Sequence, residues 1–207
     1  NTVGDVDGSA VVRLEAGSDG TVITQNAFTG DGGNFLINAR QGAREDASPI
    51  DGVEITDNSF EDVTGEGKTA IQAAGFTNAE ISGNSFDGIS EDAVRLAGDV
   101  SGTEVTDNEF SNYAQDSSIS GGDIDAGAVV AVNVSGDVDI SGNQFNDAGG
   151  DNVYLNPILQ NDPAALDLGA IADSNTFDSN VIANDTVIIP SNPTASVEVN
   201  AVAAGDQ

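Results

Sequence analysis

The sequence predicts an all-β protein, a parallel β-helix that winds as a solenoid of about six to eight coils with irregular loop insertions. Three observations predict it. A short motif ending in Asn-x-Phe recurs along the 207 residues. A period-two alternation of apolar and polar residues leads into each copy. A second apolar segment, bounded by turn-forming residues, separates one copy from the next.

The motif occurs as "TVITQNAF", "VEITDNSF", "AEISGNSF", "TEVTDNEF", "VDISGNQF" and "AIADSNTF". Its asparagines are Asn26, Asn58, Asn84, Asn108, Asn143 and Asn175, spaced by 32, 26, 24, 35 and 32 residues. Six of the eight phenylalanines occupy the same place in it, so the pattern is no accident of composition. Three residues before each Asn stands Ile23, Ile55, Ile81, Val105 or Ile140, with Ala172 in the sixth copy. The segments "AVVRL", "NFLINA", "TAIQAA", "DAVRLA", "AVVAVNV" and "DNVYLN" read as a second strand of each unit. Gly, Asp, Asn and Ser fill the joins, as tight turns require. Each unit therefore reads strand, tight turn, strand, corner. A propeller blade needs four strands in about 40 residues, more than the shortest unit holds. A β-sandwich gives no reason for one motif after every second strand.

Stacked coils repeat at about 4.8 Å, so equivalent residues form columns. An inward Asn at a turn can then bond the backbone of its own corner and its counterparts above and below. The Phe two residues on faces the same side and stacks on its neighbours. With its "[VI]-x-[IV]-[ST]-x-N-x-F" repeat, the chain resembles the right-handed parallel β-helix superfamily typified by pectate lyases, over roughly residues 10 to 180. The resemblance implies a right-handed β-helix. That superfamily includes lyases, hydrolases, epimerases, viral tailspikes and adhesins, so fold alone selects no activity. The expected division is a parallel β-helix over 1–180, then a tail over 181–207 whose "TVIIP" and "ASVEVNAV" form extra strands that cap the solenoid or contact a partner.

Charge constrains the setting. Thirty-five acidic residues face five basic ones, Arg13, Arg40, Arg44, Lys68 and Arg95, for a net charge of -30. Nucleic acid needs a basic footprint and anionic membranes repel such a surface, so neither is an expected partner. No stretch has the length of a membrane-spanning segment. Without Cys there is no disulfide or thiolate metal site, and without His the commonest general base is missing. A first residue other than Met is read as the mark of a processed product.

The residue between the two inward positions of the repeat strand reads Val22, Glu54, Glu80, Glu104, Asp139 and Ile171 down the copies. Four carboxylates are thus expected in one outward column. At about 4.8 Å in water, neighbours repel by roughly 0.9 kcal/mol each. Concentrated salt removes that cost by shortening the Debye length to about 3 Å at 1 M. Calcium between the carboxylates of Glu54, Glu80, Glu104 and Asp139 is the alternative. Acidic residues spread over every loop and a single Lys favour salt, a composition that resembles the proteins of extreme halophiles. No cofactor is expected, with calcium as that alternative.

The longer units carry inserts: "RQGAREDASPID" (Arg40 to Asp51), "SNYAQDSSISGGDIDAG" (Ser111 to Gly127) and "NPILQNDPAALDLG" (Asn156 to Gly169). The outward column of the second strand is expected to read Arg13, Ile37, Gln72, Arg95, Ala131 and Tyr154. Of these, Arg13, Gln72, Arg95 and Tyr154 suit an acidic, hydroxyl-rich polysaccharide, since Arg pairs carboxylates bidentately and aromatic faces accept sugar rings. The plainer reading is that Arg13 and Arg95 neutralise nearby acids. Among lyase-like arrangements, only Arg95 beside Glu91 and Asp92 offers a base next to carboxylates. The Gly-His-Gly of related hydrolases and the His of related epimerases are absent. Sequons at Asn133 and Asn184 point to glycosylation. Together these features predict a non-enzymatic extracellular β-helix, a cell-surface, appendage or virus-spike component of a halophile with glycan-binding capacity. Its partners are other subunits, in a homo-oligomer or filament, and polysaccharide. The alternative is a polysaccharide-active lyase or hydrolase.

Overall fold

The computed structural model describes residues 1–4, 10–30, 34–39, 48–64, 68–113, 127–146, 158–160, 168–177, 186–187 and 199–200. Its strands fall into three stacked parallel sheets that the chain visits in rotation. The long-strand sheet contains Ala10–Leu14, Phe35–Ala39, Thr69–Ala74, Val94–Asp99, Val129–Ser135 and Ile158–Gln160. The repeat-strand sheet contains Val22–Thr24, Glu54–Thr56, Glu80–Ser82, Thr103–Thr106 and Val138–Ser141. The aromatic sheet contains Thr2–Gly4, Ala27–Thr29, Ser59–Val63, Ser85–Ile89, Glu109–Ser111, Gln144–Phe145 and Thr176–Phe177. The protein is thus all-β with parallel strands in stacked sheets, an arrangement compatible with a β-solenoid.

Each circuit of the chain has three principal strands, where the sequence pattern had separated only two. The corner residue before each Asn explains the difference. Gln25, Asp57, Gly83, Asp107 and Gly142 all take positive φ, between 55° and 68°, and so turn the chain sharply into a further strand that carries the Phe. The sequence masks this because Gln, Asp and Gly share no single signature for the left-handed region, although Asp and Gly tolerate it best. A second left-handed column, Gly30, Asp62, Gly88 and Asn112, bends the chain two residues after each Phe. A short parallel pair, Ile50–Asp51 with Phe76–Thr77, adds a fourth, minor sheet.

Register makes the core. Ile23, Ile55, Ile81, Val105 and Ile140 align across the repeat-strand sheet and are buried. Ile37, Ile71, Val94 and Val129 align across the long-strand sheet and are also buried. Phe28, Phe60, Phe86, Phe110 and Phe145 stack face to face, with ring centroids 4.8–5.0 Å apart and planes within 9° of parallel. Phe177 continues that register from Phe145. The stacking distance equals the strand spacing, so the backbone repeat itself sets the rings in contact.

Three local readings are corrected. In the long-strand sheet the column through Arg13 runs Arg13, Asn38, Gln72, Arg95 and Val130, so Ile37 and Ala131 belong to inward columns. The phase is ambiguous in sequence because both faces of these strands are buried: Leu36, Ala70 and Val130 are as hidden as Ile37 and Ile71. Near-continuous apolar strands are what a doubly covered parallel sheet requires. The strand that pairs with Val129–Ala131 is Ile158–Gln160, inside the segment read as the last insert, while "DNVYLN" lies outside the described residues. The sixth repeat copy opens with a helix, Leu168–Ser174, in place of a repeat strand, and its Ile171 is buried instead of outward. "LGAIADS" lacks the β-branched pair of the other copies, and Ala and Leu favour helix. Near the end of the chain, Thr186–Val187 pairs antiparallel with Val199–Asn200.

Candidate functional site

The most ordered polar feature is a hydrogen-bond ladder of asparagines. The backbone N–H of Asn26 donates to Oδ1 of Asn58 at 3.0 Å, Asn58 to Asn84 at 2.9 Å, and Asn84 to Asn108 at 2.9 Å. Asn108 then donates to Asn143 at 3.0 Å and Asn143 to Asn175 at 2.8 Å. Each side-chain amide Nδ2–H reaches the same oxygen. From Asn58 onward, Nδ2 also donates backward, at 2.8 Å, to the carbonyls of Ile23, Ile55, Ile81, Val105 and Ile140 in turn. Asn58, Asn84, Asn108 and Asn143 are buried, so this pairing is what makes their burial affordable. A backbone donor on one side and a backbone acceptor on the other dictate which way each amide points. The ladder is therefore polar.

Asn1 extends it, a member that the Asn-x-Phe pattern misses. Its Nδ2 donates to Oδ1 of Asn26 at 3.2 Å, its carbonyl accepts from Ala27 N–H, and Val3 lies in register with Phe28. "NTV" is thus Asn-x-Val in place of Asn-x-Phe. Only its spacing of 25 residues before Asn26 betrays it. At the other end, Asn175 Nδ2 turns to the Ile171 carbonyl of its own helix, at 2.7 Å.

The acidic column has the predicted neighbours. Glu54, Glu80, Glu104 and Asp139 are paired in register and all four are exposed, with Val22 at the end of the column. Glu80 accepts a hydrogen bond from its own strand's Ser82 hydroxyl, at 2.6 Å. No group of three or more acidic residues among the described residues converges on a point where a metal ion could sit. The geometry is a line of charges and differs from a chelating cage.

On the long-strand sheet, Arg13, Gln72 and Arg95 share one column, joined through Asn38. Arg13 is half exposed and pairs with Glu15 at 2.9 Å. Arg95 is more enclosed, and its guanidinium donates to the fully buried Asp92 at 2.9 Å. The other Asp92 oxygen accepts from Gly127 N–H at 3.3 Å. Asn38, almost fully buried, has an Oδ1 with no donor among the described residues. Both arginines therefore hold acids of this chain. Asn133 lies on Val129–Ser135 where the register against Val94–Asp99 shifts. Tyr154 and Asn184 fall outside the described residues, as do positions 40–47 and 114–126 of the inserts.

Asp99 also has a defined environment. The Ser101 hydroxyl and backbone N–H both donate to Asp99, holding its carboxyl below the ordinary value of 3.8. Comparison with protein-family models, curated proteins and solved structures finds no match to this chain.

Proposed function

We propose that this protein is a non-enzymatic, extracellular structural or adhesive component of a halophile, from a cell surface, an appendage or a virus spike, built as a right-handed parallel β-helix of about six to eight coils. The observation that carries the proposal is the exposed, in-register line of Glu54, Glu80, Glu104 and Asp139 on a scaffold with a closed, hydrogen-bonded interior. Like charges opposite one another on paired strands are disfavoured in dilute buffer. A strongly ionic medium screens them. The stacked interior suits a load-bearing rod, because each circuit buries its apolar column against the next.

Melting in rising NaCl and in rising KCl tests the setting. Both salts should raise the melting temperature strongly and to similar extents. A Glu80→Gln, Glu104→Gln double variant should flatten that rise. Restoration of stability by micromolar calcium alone would replace the salt reading with a metal one. A glycan array tests adhesion, with Arg13, Gln72 and Arg95 as the column that would hold an acidic sugar chain.

A second reading, a polysaccharide-active lyase or hydrolase, is favoured by one observation: Arg95 is fixed by a buried carboxylate, with Glu91 adjacent. Release of unsaturated or reducing sugar ends that disappears in Arg95→Ala would establish it. Binding without turnover would remove it.

A further inference from the structure

We infer that the buried Asp92–Arg95 pair is a register key, which fixes the order of the circuits as the chain folds by accepting the circuit that begins at Gly127 and no other. The inference goes beyond the functional readings above and holds under either of them. Two of the three sheets carry no information about order. Ile23, Ile55, Ile81, Val105 and Ile140 fill one column of the repeat-strand sheet. Phe28, Phe60, Phe86, Phe110 and Phe145 fill one column of the aromatic sheet. The asparagine ladder is equally uniform, so a strand from one rung fits beside any other. Such degeneracy invites slipped pairings.

The long-strand sheet is different. At equivalent positions its rungs carry Ala10 with Arg13, Phe35 with Asn38, Thr69 with Gln72, Asp92 with Arg95, and Gly127 with Val130, and no two pairs are alike. Asp92 is the one charged residue that is buried among the described residues. One of its oxygens accepts from Arg95 of its own strand at 2.9 Å, and the other from the backbone N–H of Gly127 in the next circuit at 3.3 Å. A buried ion pair adds little net stability, because desolvation offsets the attraction, but a buried ion deprived of its partners is strongly disfavoured. Docked beside Thr69 instead, the Gly127 strand would face a hydroxyl and leave Asp92 short of a donor. The pair also stands where chain length says least about order. The spacing from Asn108 to Asn143, 35 residues, is the longest between copies, so the circuit after that of Asp92 has the loosest tether.

The test borrows from the preceding circuit, which has Thr69 and Gln72 where this one has Asp92 and Arg95. The double variant Asp92→Thr, Arg95→Gln makes the two circuits alike at this position and should melt cooperatively, close to the parent. Register is read with cysteines, which the chain lacks. Glu104→Cys and Asp139→Cys fall in register on neighbouring circuits, about 4.8 Å apart, and should crosslink in every background. Glu80→Cys and Asp139→Cys fall two circuits apart, about 9.6 Å, too far for a disulfide unless the circuit between them is skipped. The dilute full chain is refolded from urea into concentrated NaCl with an oxidant present. The skipped crosslink within a monomer should form about tenfold more in the double variant than in the parent. Asp92→Asn, which keeps an acceptor for the Gly127 N–H, should fall between them. Equal skipped crosslinking in the parent and in whichever variant melts cooperatively would overturn the inference. Loss of the cooperative melt in both variants would show the pair to be a plain stabiliser and overturn it too.

Discussion

Asn84 is bonded on every side. Its Oδ1 accepts from Asn58 N–H and Nδ2–H, while its Nδ2 donates to the Ile55 carbonyl and to Asn108 Oδ1. Asn84→Ala therefore leaves buried groups on both neighbouring circuits unpaired and should cost about 3 kcal/mol in urea unfolding. Two turn glycines make a finer distinction. Gly52 and Gly136 both take positive φ, but a Cβ at Gly52 would meet nothing within 4 Å, whereas at Gly136 it would collide with the backbone Cα of Ser101, at 2.7 Å. Gly52→Ala should lose about 1 kcal/mol, the cost of a side chain in the left-handed region, and Gly136→Ala measurably more. Asp99 gives a pH signature. Its carboxyl is held below 3.8 by Ser101, so the stabilisation is present above that value and is lost as pH falls through the lowered one. The stability gap between the parent and Ser101→Ala should accordingly be present at neutral pH and close in acid.

Strands and columns are where reading the sequence succeeds and fails for identifiable reasons. The repeat strands are legible because one face is apolar and the other polar, so Ile55 and Glu54 declare their directions. The long strands are not, since Leu36, Ile37, Asn38 and Ala39 are all buried and alternation disappears. That is why the column through Arg13 and Arg95 was assignable at Gln72 but slipped by one at Asn38 and Val130. The helix Leu168–Ser174 hides inside a repeat copy because its Asn175 and Thr176–Phe177 still obey the pattern. For the aromatic column, a substitution series should report position. Phe86 is stacked on both faces and Phe28 on one. Phe86→Ala should cost about 4 kcal/mol and Phe28→Ala distinctly less, read from unfolding midpoints.

At the scale of the whole molecule, the architecture was legible because a repeat multiplies a weak signal six times, and the alignment of six asparagines outweighs any single propensity. The candidate site was less so. A line of carboxylates is visible in sequence once the register is known, but residues such as Arg95 and Asp92 acquire meaning only through the corner that brings them within 2.9 Å. The acidic exterior makes one global prediction beyond the melts. Dilution from concentrated salt into low-salt buffer should loosen the molecule, observed as faster backbone amide exchange along Glu54–Thr56, Glu80–Ser82 and Thr103–Thr106, where the charges face one another.

The direction of the asparagine ladder has a consequence for biosynthesis. From Asn58 to Asn143 each amide gives a side-chain hydrogen to an earlier carbonyl, but its backbone N–H goes to a rung that the ribosome makes later and waits unclaimed until that rung arrives. Asn26 and Asn58 also reach a carbonyl of their own corner, that of Thr24 and Thr56, and Asn175 reaches that of Ile171 in the helix that immediately precedes it. A nascent chain halted at Asn108 or Asn143 would therefore hold an unfinished, adhesive growing tip.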